Sequence, residues 1–309
     1  SDTRAPEAAL LEEATVAVMR RCHPDLSLHY RRRARNTDYK SGNIRDWVIT
    51  QGHAHDAMLI LDADSVMGPD TVIRLCDVMA GDPGLGLIQT IPRVLAGRTV
   101  WQGLQSFASE VYGTNMGRGF ARWTGREGNF FGHNALIRVP AFAASAGLPH
   151  LPGAAPRGGV ILSHDFVEAA LLRRAGWGVE MVPEAGESHE DTPETLIGYL
   201  RRDQRWCQGN LQHLRLLRVP GLHPLSRFHL LQGAMAYLSS VCWLLLLLLW
   251  ALVGLQGPGA VPALPLPEGW LAPPVPPVGI AGAVIATLVA PKVLGIVAYL
   301  RGKGLRTVG

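Results

Sequence analysis

Charge is scarce in this chain. Lys, Arg, Asp and Glu make up 17% of its 309 residues, below the roughly 25% usual for soluble domains, whereas 48% are hydrophobic and the net charge is only +4. That apolar content excludes a disordered polymer. Cysteine is also sparse, with four residues (Cys22, Cys76, Cys207 and Cys242) and no C-x-x-C pair. The spacing excludes a disulfide-built secreted scaffold and argues against structural zinc, so the cysteines are expected to be buried, reduced thiols. No G-x-x-x-x-G-K-[ST] or G-x-G-x-x-G segment is present, so P-loop and dinucleotide-cofactor readings fail. The basic run "RRRAR" (Arg31 to Arg35) has no interleaved aromatic platform beyond Tyr30, and no nucleic-acid partner is expected. An opening at Ser1 with no Met, signal or transit pattern reads as an internal piece of a longer protein.

The missing charge is concentrated. Residues 228–300 hold two formal charges, Glu268 and Lys292, so 52 of the chain's 54 lie in the other 236 residues, about 22% of them. The run from Leu230 to Leu255 is uncharged and long enough to span a bilayer as a helix. A second block, Val278 to Leu300, has the length but contains Pro291 and Lys292, so it is expected to span with a kink. Six arginines lie between Arg201 and Arg227, the segment between the blocks is proline-rich without Lys or Arg, and Arg301, Lys303 and Arg306 follow. Basic flanks stay cytoplasmic. The region before the first block is therefore expected to face the cytoplasm, with the proline-rich loop outside.

The first two thirds alternate helical and strand patterns. Expected helices lie around Pro6 to Arg20, in "GNIRDWVITQG" and in "DTVIRLCDVMA", and expected strands in "SLHYRRR", "AMLIL" and "LGLIQTI". A longer helix with Trp101, Leu104, Phe107, Ala108 and Val111 at helical spacing is expected to turn that stripe into the core. Such alternation predicts an α/β fold, a mostly parallel sheet with helices on both faces and ligands at the carboxyl ends of its strands.

Three segments could carry chemistry. In "LILDADS", a strand delivers Asp62 and Asp64, which as residues i and i+2 of an extended chain share a face and suit Mg²⁺ or Mn²⁺ completed by substrate phosphates. The same residues also fit a solvated turn. In "LSHDFVEAALLRRAGW", Asp165 stands at a helix start, either as a plain cap or as a general base kept ionised by the helix N-terminus. His164 beside it fits a hydrogen-bonded neighbour better than a ligand. In "RRDQRWCQGN", Arg205 offers a bidentate phosphate clamp and Trp206 a flat face for a sugar ring, though an interfacial basic-aromatic helix reads equally well. The pair His53 and His55 reads as a loop. "GHN" (His133, Asn134) reads as a tight polar turn within reach of an acceptor.

Taken together, "SDT" with Asp2, "YKSGN" with Lys40, "DAD", "FFGHNALIR", "SHD" and Arg205-Trp206 ahead of apolar helices resemble the membrane-embedded glycosyltransferases of family 2, the processive type that includes cellulose and hyaluronan synthases. The phrases "YKSGNIRDW", "LDADSVM" and "QRWCQGNLQH" resemble the branch of Gram-negative bacteria that makes periplasmic glucans. Two positions depart from the family pattern. Arg202 stands where Q-x-x-R-W has Gln, and T-E-D reads S-H-D, which leaves the roles of Arg202 and His164 open.

The resemblance implies a GT-A-like fold and an inverting glucosyltransferase that uses UDP-glucose and Mg²⁺ (or Mn²⁺) to extend the β-1,2-linked backbone of osmoregulated periplasmic glucans at the inner membrane. It implies uridine contact by Asp2, nucleotide contact by Lys40, metal and diphosphate binding by Asp62 and Asp64, and deprotonation of the acceptor by Asp165. Arg205 would stabilise the diphosphate, Trp206 would stack on the acceptor, and His133 and Asn134 would lie on the acceptor side. The implied partners are the bilayer, the nucleotide-sugar donor and growing glucan, an acyl carrier protein and a periplasmic glucan-processing protein. The corresponding divisions are a catalytic domain over 1–195 lacking its first strand, an interfacial helix over 196–227, spans over 228–256 and 278–300, an outer loop over 257–277 and a basic end over 301–309. Competing readings are another family 2 synthase and a non-catalytic nucleotide-sugar-binding scaffold.

Overall fold

The computed structural model describes residues 1–95, 97–183, 186–255 and 277–303. They form two units, Ser1–Asp56 and Ala57–Gly309. The proline-rich segment lies outside the described residues, as does most of the basic end.

The first unit contains α1 (Pro6–Cys22) and α2 (Tyr39–Thr50). Pro6 opens α1 where its missing N–H costs nothing. The expected strand over "SLHYRRR" is not one: its backbone pairs only locally with the first residue, the Arg33 N–H bonding the Ser1 carbonyl (3.1 Å) and the Ser1 amine the Arg31 carbonyl (2.5 Å). The Arg33 side chain is only 7% exposed. It donates to Asp2 Oδ1 and Oδ2 (both 2.7 Å), Asp46 Oδ2 (3.1 Å), Asn36 Oδ1 (3.1 Å), and the carbonyls of Thr37 (3.0 Å) and Tyr39 (2.8 Å). The turn it fastens holds Asp38 and Tyr39 at positive φ. Gly42 passes so close to the Thr37 carbonyl that a Cβ there would overlap it.

The second unit begins with β1 (Ala57–Ile60), β2 (Ser65–Met67), α3 (Pro69–Gly81), β3 (Leu85–Thr90) and β4 (Arg93–Val94). Next come α4 (Val100–Ala108), a π turn (Ser109–Gly113) and α5 (Thr114–Thr124), continuous as one helix. The chain continues through β5 (Ala135–Arg138), α6 (Val139–Ser145), α7 (His164–Arg174), β6 (Gly178–Val182) and β7 (Ser188–Glu190). It ends with α8 (Leu196–Gln212), α9 (Pro224–Leu255) and α10 (Pro277–Lys303).

The main sheet has the order β1-β5-β3-β6 and is mixed rather than mostly parallel. β3 and β6 are parallel, whereas β5 runs antiparallel to both β1 and β3. Thr90 leaves the sheet at the edge where Ala135 re-enters it, and its N–H bonds the Asn134 carbonyl. A connection that starts and ends on one edge reverses the strand direction. A smaller sheet, β2-β7-β4, lies beyond that edge. Leu75, Met79, Leu85, Ile88 and Leu136 form the core between α3 and the main sheet.

The stripe on α4 is not core. Val111 is buried, but Leu104 and Phe107 are 58% and 54% exposed. The inward position belongs to Gln102, which closes a capping box with Thr99 and donates to the Thr192 carbonyl (3.1 Å). Nor are the cysteines buried: Cys22, Cys76 and Cys242 are exposed and Cys207 is intermediate. Two helices are long and apolar enough to cross a membrane, over Pro224–Leu249 and Gly282–Arg301. Exposed leucines such as Leu249 (60%) mark the first. α10 continues through Pro291.

Candidate active site

The candidate site lies in the second unit at the edge shared by the two sheets. β1 ends at Ile60, and the next residues turn, with the Ser65 N–H bonding the Asp62 carbonyl (3.0 Å). Asp62 and Asp64 therefore belong to a tight turn between β1 and β2, not to the extended chain that the i, i+2 argument assumed. The Asp64 carbonyl accepts from the Asp191 N–H (3.0 Å), which joins this turn to the end of β7.

The segment before β5 is fixed from beneath. Buried Gln89 donates to the Asn129 carbonyl and accepts from the Phe131 N–H (3.1 Å). Asn134 sits at φ +49°, a left-handed conformation that Asn tolerates better than most residues. Its amide donates to Ser188 Oγ (2.8 Å), Ser188 Oγ lies 2.6 Å from Thr90 Oγ1, and Thr90 Oγ1 donates back to the Asn134 carbonyl (3.3 Å). All three residues are buried, and a satisfied polar network in such surroundings rigidifies the segment that carries it. His133 is thereby presented with Nδ1 2.9 Å from Asn134 Oδ1 and Nε2 3.3 Å from Glu190 Oε2.

Asp165 lies in the first turn of α7, whose N-cap is Ser163, so it is one step inside the helix rather than the cap itself. Gly132, at φ +97°, passes directly over it, and a Cβ at Gly132 would stand 3.5 Å from Asp165 Oδ2. His164 is buried and its Nδ1 lies 3.0 Å from buried Glu168 Oε1, a pairing internal to α7.

α8 carries the R-W motif past this helix start. Gly209 approaches so closely that a Cβ would overlap the Ser163 backbone nitrogen and hydroxyl. His213 Nε2 donates to the Ser163 carbonyl (2.8 Å), and its ring stacks on Phe166 (5.4 Å, 23°). Burial holds the His213 imidazole down at about 4. Arg205 is exposed, and Trp206 is 43% exposed. The Arg202 guanidinium lies 4.6 Å from the Trp206 ring centre, so it covers part of one indole face. α9 packs onto the same assembly. Gly233 abuts Asn210 and Phe166, and Tyr237 donates to Asp203 (3.0 Å).

Glu190 is the residue that sequence reasoning missed, hidden in the polar run "ESHEDT". Burial pushes its carboxyl up, His133 and Arg202 pull it down, Asp64 and Asp62 push it up again, and the net direction is upward. Glu190 thus shares one electrostatic neighbourhood with three predicted positions, Asp62, Asp64 and His133, and with the pattern-departing Arg202. Asp2 and Lys40 belong to the first unit. The Arg33 pair holds the Asp2 carboxyl below its usual range, and Lys40 lies in the first turn of α2.

Among the described residues, no group of three or more His, Cys, Asp or Glu side chains is arranged to hold a metal ion. Mg²⁺ is commonly held by one or two carboxylates with substrate phosphates completing its shell. The turn bearing Asp62 and Asp64 fits that mode and does not fit a protein-only cage.

The family model described as glycosyl transferase family group 2 matches residues 57–284. Curated relatives named glucans biosynthesis glucosyltransferase H include those of Vibrio cholerae serotype O1 (46% identity over all of this chain and 44% of the relative) and Shewanella oneidensis (45%, with the same coverage). The Bradyrhizobium diazoefficiens protein of that name is 46% identical over 99% of this chain and 42% of the relative. The chain spans less than half the length of these relatives. With a family match that starts at the first strand of the second unit and runs through the D-A-D turn, the Asp165 helix and the R-W helix, the chain belongs to glycosyl transferase family group 2.

Proposed function

We propose that the protein containing this chain is an inverting glucosyltransferase that uses UDP-glucose to lengthen a β-1,2-linked periplasmic glucan at the inner membrane. The observation that supports this most is the turn at Gly132–Asn134. On one side it lies against the Asp165 carboxylate, and on the other its His133 joins Glu190 beside Asp62 and Asp64. One rigid loop would thus meet both the base and the donor-side carboxylates, as an in-line displacement requires.

The acceptor hydroxyl oxygen attacks the glucosyl C1, and Asp165 takes its proton. The bond from C1 to the UDP oxygen breaks on the opposite face, so an α-linked donor yields a β-linkage. Asp62 and Asp64 would hold Mg²⁺ together with the donor diphosphate, and the bound ion would offset charge on the departing UDP. Arg205 adds positive charge there, and Trp206 offers the acceptor sugar the face that Arg202 leaves open. Asp2 and Lys40 would contact the nucleotide. α9 and α10 would cross the bilayer, with the catalytic residues on the cytoplasmic side. The names of the similar proteins support glucose as the sugar and glucan as the product.

Membranes carrying the full protein should incorporate glucose from UDP-glucose with Mg²⁺, and linkage analysis should return β-1,2 bonds. Asp165→Asn should retain UDP binding and lose at least about 100-fold in transfer, the lower end of the usual general-base contribution. Transfer undiminished by that change removes the base assignment, and β-1,4 bonds would favour a cellulose-like synthase.

A further inference from the structure

Glu190 has no part in the reaction as proposed above, yet it is the residue around which the site's charges are arranged. Its Oε2 lies 3.3 Å from His133 Nε2, and its side chain is 28% exposed. The orientation of His133 is determined from the other side. The Asn134 amide donates to Ser188 Oγ, which leaves its Oδ1 facing His133, so the ring Nδ1 must carry a hydrogen. Nε2 then faces the Glu190 carboxyl, and the contact is attractive with one proton held between nitrogen and oxygen. Asn134 cannot release the ring without opening the buried loop of hydrogen bonds through Ser188 and Thr90. Glu190 ends the same strand, β7, that Ser188 begins. One short strand therefore supplies both anchors of the turn that covers Asp165.

We infer that Glu190 is a positioning residue for glycosyl transfer, holding His133 so that the Gly132–Asn134 turn keeps its place against Asp165. The inference rests on the glycosyltransferase reading of this site. The donor-side carboxylates share its neighbourhood, but the contact through which Glu190 would act is the one its Oε2 makes with His133 Nε2.

The test uses membranes carrying the full protein with Glu190→Ala, Glu190→Gln, His133→Ala and the double alanine variant. A glutamine amide can donate to the bare Nε2 and preserve the contact with a neutral ring. Glu190→Ala should lower kcat roughly 10- to 100-fold, the scale of a small misplacement near a reacting group, with the KM for UDP-glucose within about 2-fold of wild type. Glu190→Gln should recover most of that loss. The double variant should be no slower than His133→Ala alone, because the contact that Glu190 makes is already gone there.

Carbethoxylation of His133 by diethyl pyrocarbonate, mapped by peptide mass spectrometry, should quicken in Glu190→Ala and not in Glu190→Gln. This readout needs no sugar. If the wild type transfers no glucose, the proposed function fails while the mapping still decides the pairing. Wild-type kcat in Glu190→Ala, a glutamine variant as slow as the alanine one, or a defect confined to the KM for UDP-glucose would each overturn the inference.

Discussion

Gly209 on the R-W helix lies so close to Ser163, the N-cap residue of the helix bearing Asp165, that a Cβ at Gly209 would overlap the Ser163 backbone nitrogen and hydroxyl. Two functional segments some forty residues apart in sequence are therefore set by a single backbone approach.

Gly209→Ala should accordingly do more than change helix propensity. The new methyl overlaps backbone and side-chain atoms of Ser163, so α8 must shift relative to the start of α7, carrying Arg205 and Trp206 with it. Overpacking of this kind costs about 1–3 kcal/mol, and transfer should fall on the order of 100-fold. Gly103→Ala, where the added methyl meets nothing within 4 Å, should leave transfer unchanged and stabilise α4 by up to about 1 kcal/mol. Glucose incorporation and unfolding midpoints for the two variants check the contrast.

His213 predicts a pH dependence. Its folded value of about 4 lies below the unfolded 6.5 because burial disfavours the charged ring. As pH falls from 6.5 to about 4, the unfolded chain takes up a proton that the folded chain refuses, so stability declines through that window and levels off below it. His213→Gln keeps a donor for the Ser163 carbonyl and cannot titrate. Its unfolding midpoint should fall less steeply than the wild type's between pH 6.5 and 4, and equal slopes would contradict the prediction.

The first unit should respond to acid in the same direction through a different cause. Its bonds to Arg33 lower the Asp2 carboxyl, and bonds from Ser1, Thr3 and Tyr30 hold Glu12 at about 2. Carboxylates with lowered folded values contribute stability above their unfolded values, and that contribution is lost as pH falls through the folded ones. The protection of amides over residues 1–46 against hydrogen exchange, relative to their intrinsic rates at each pH, should accordingly fall between about pH 4.5 and 2. Arg33→Lys, which cannot reproduce the planar fork, should quicken exchange at neutral pH, and unchanged exchange there would show that the six-acceptor arrangement is dispensable.

Much of this site could be read from the chain itself, because strand-end carboxylates and a helix-start aspartate leave local marks. Periodicity located α1, α2, α3, β1 and β3 closely. It could not foresee β5's reversal, which depends on the edge at which the chain returns. It misjudged the α4 stripe because an apolar helix face looks the same whether core or another apolar medium awaits it. Glu190 left no local mark, since its significance comes from β7 lying beside the D-A-D turn, a pairing between residues more than a hundred positions apart. The surroundings of Arg202 likewise emerge only in three dimensions, where its guanidinium lies over Trp206 and its charge lowers the Glu190 carboxyl.

The seat of Gly233 against Asn210 and Phe166 has a mechanical meaning. Phe166 is the immediate neighbour of Asp165, and the Tyr237 hydroxyl holds Asp203 one turn further along α9. A tilt of α9 toward this seat would press on Phe166, the residue beside the carboxylate. The long apolar helix thus bears directly on the neighbour of Asp165.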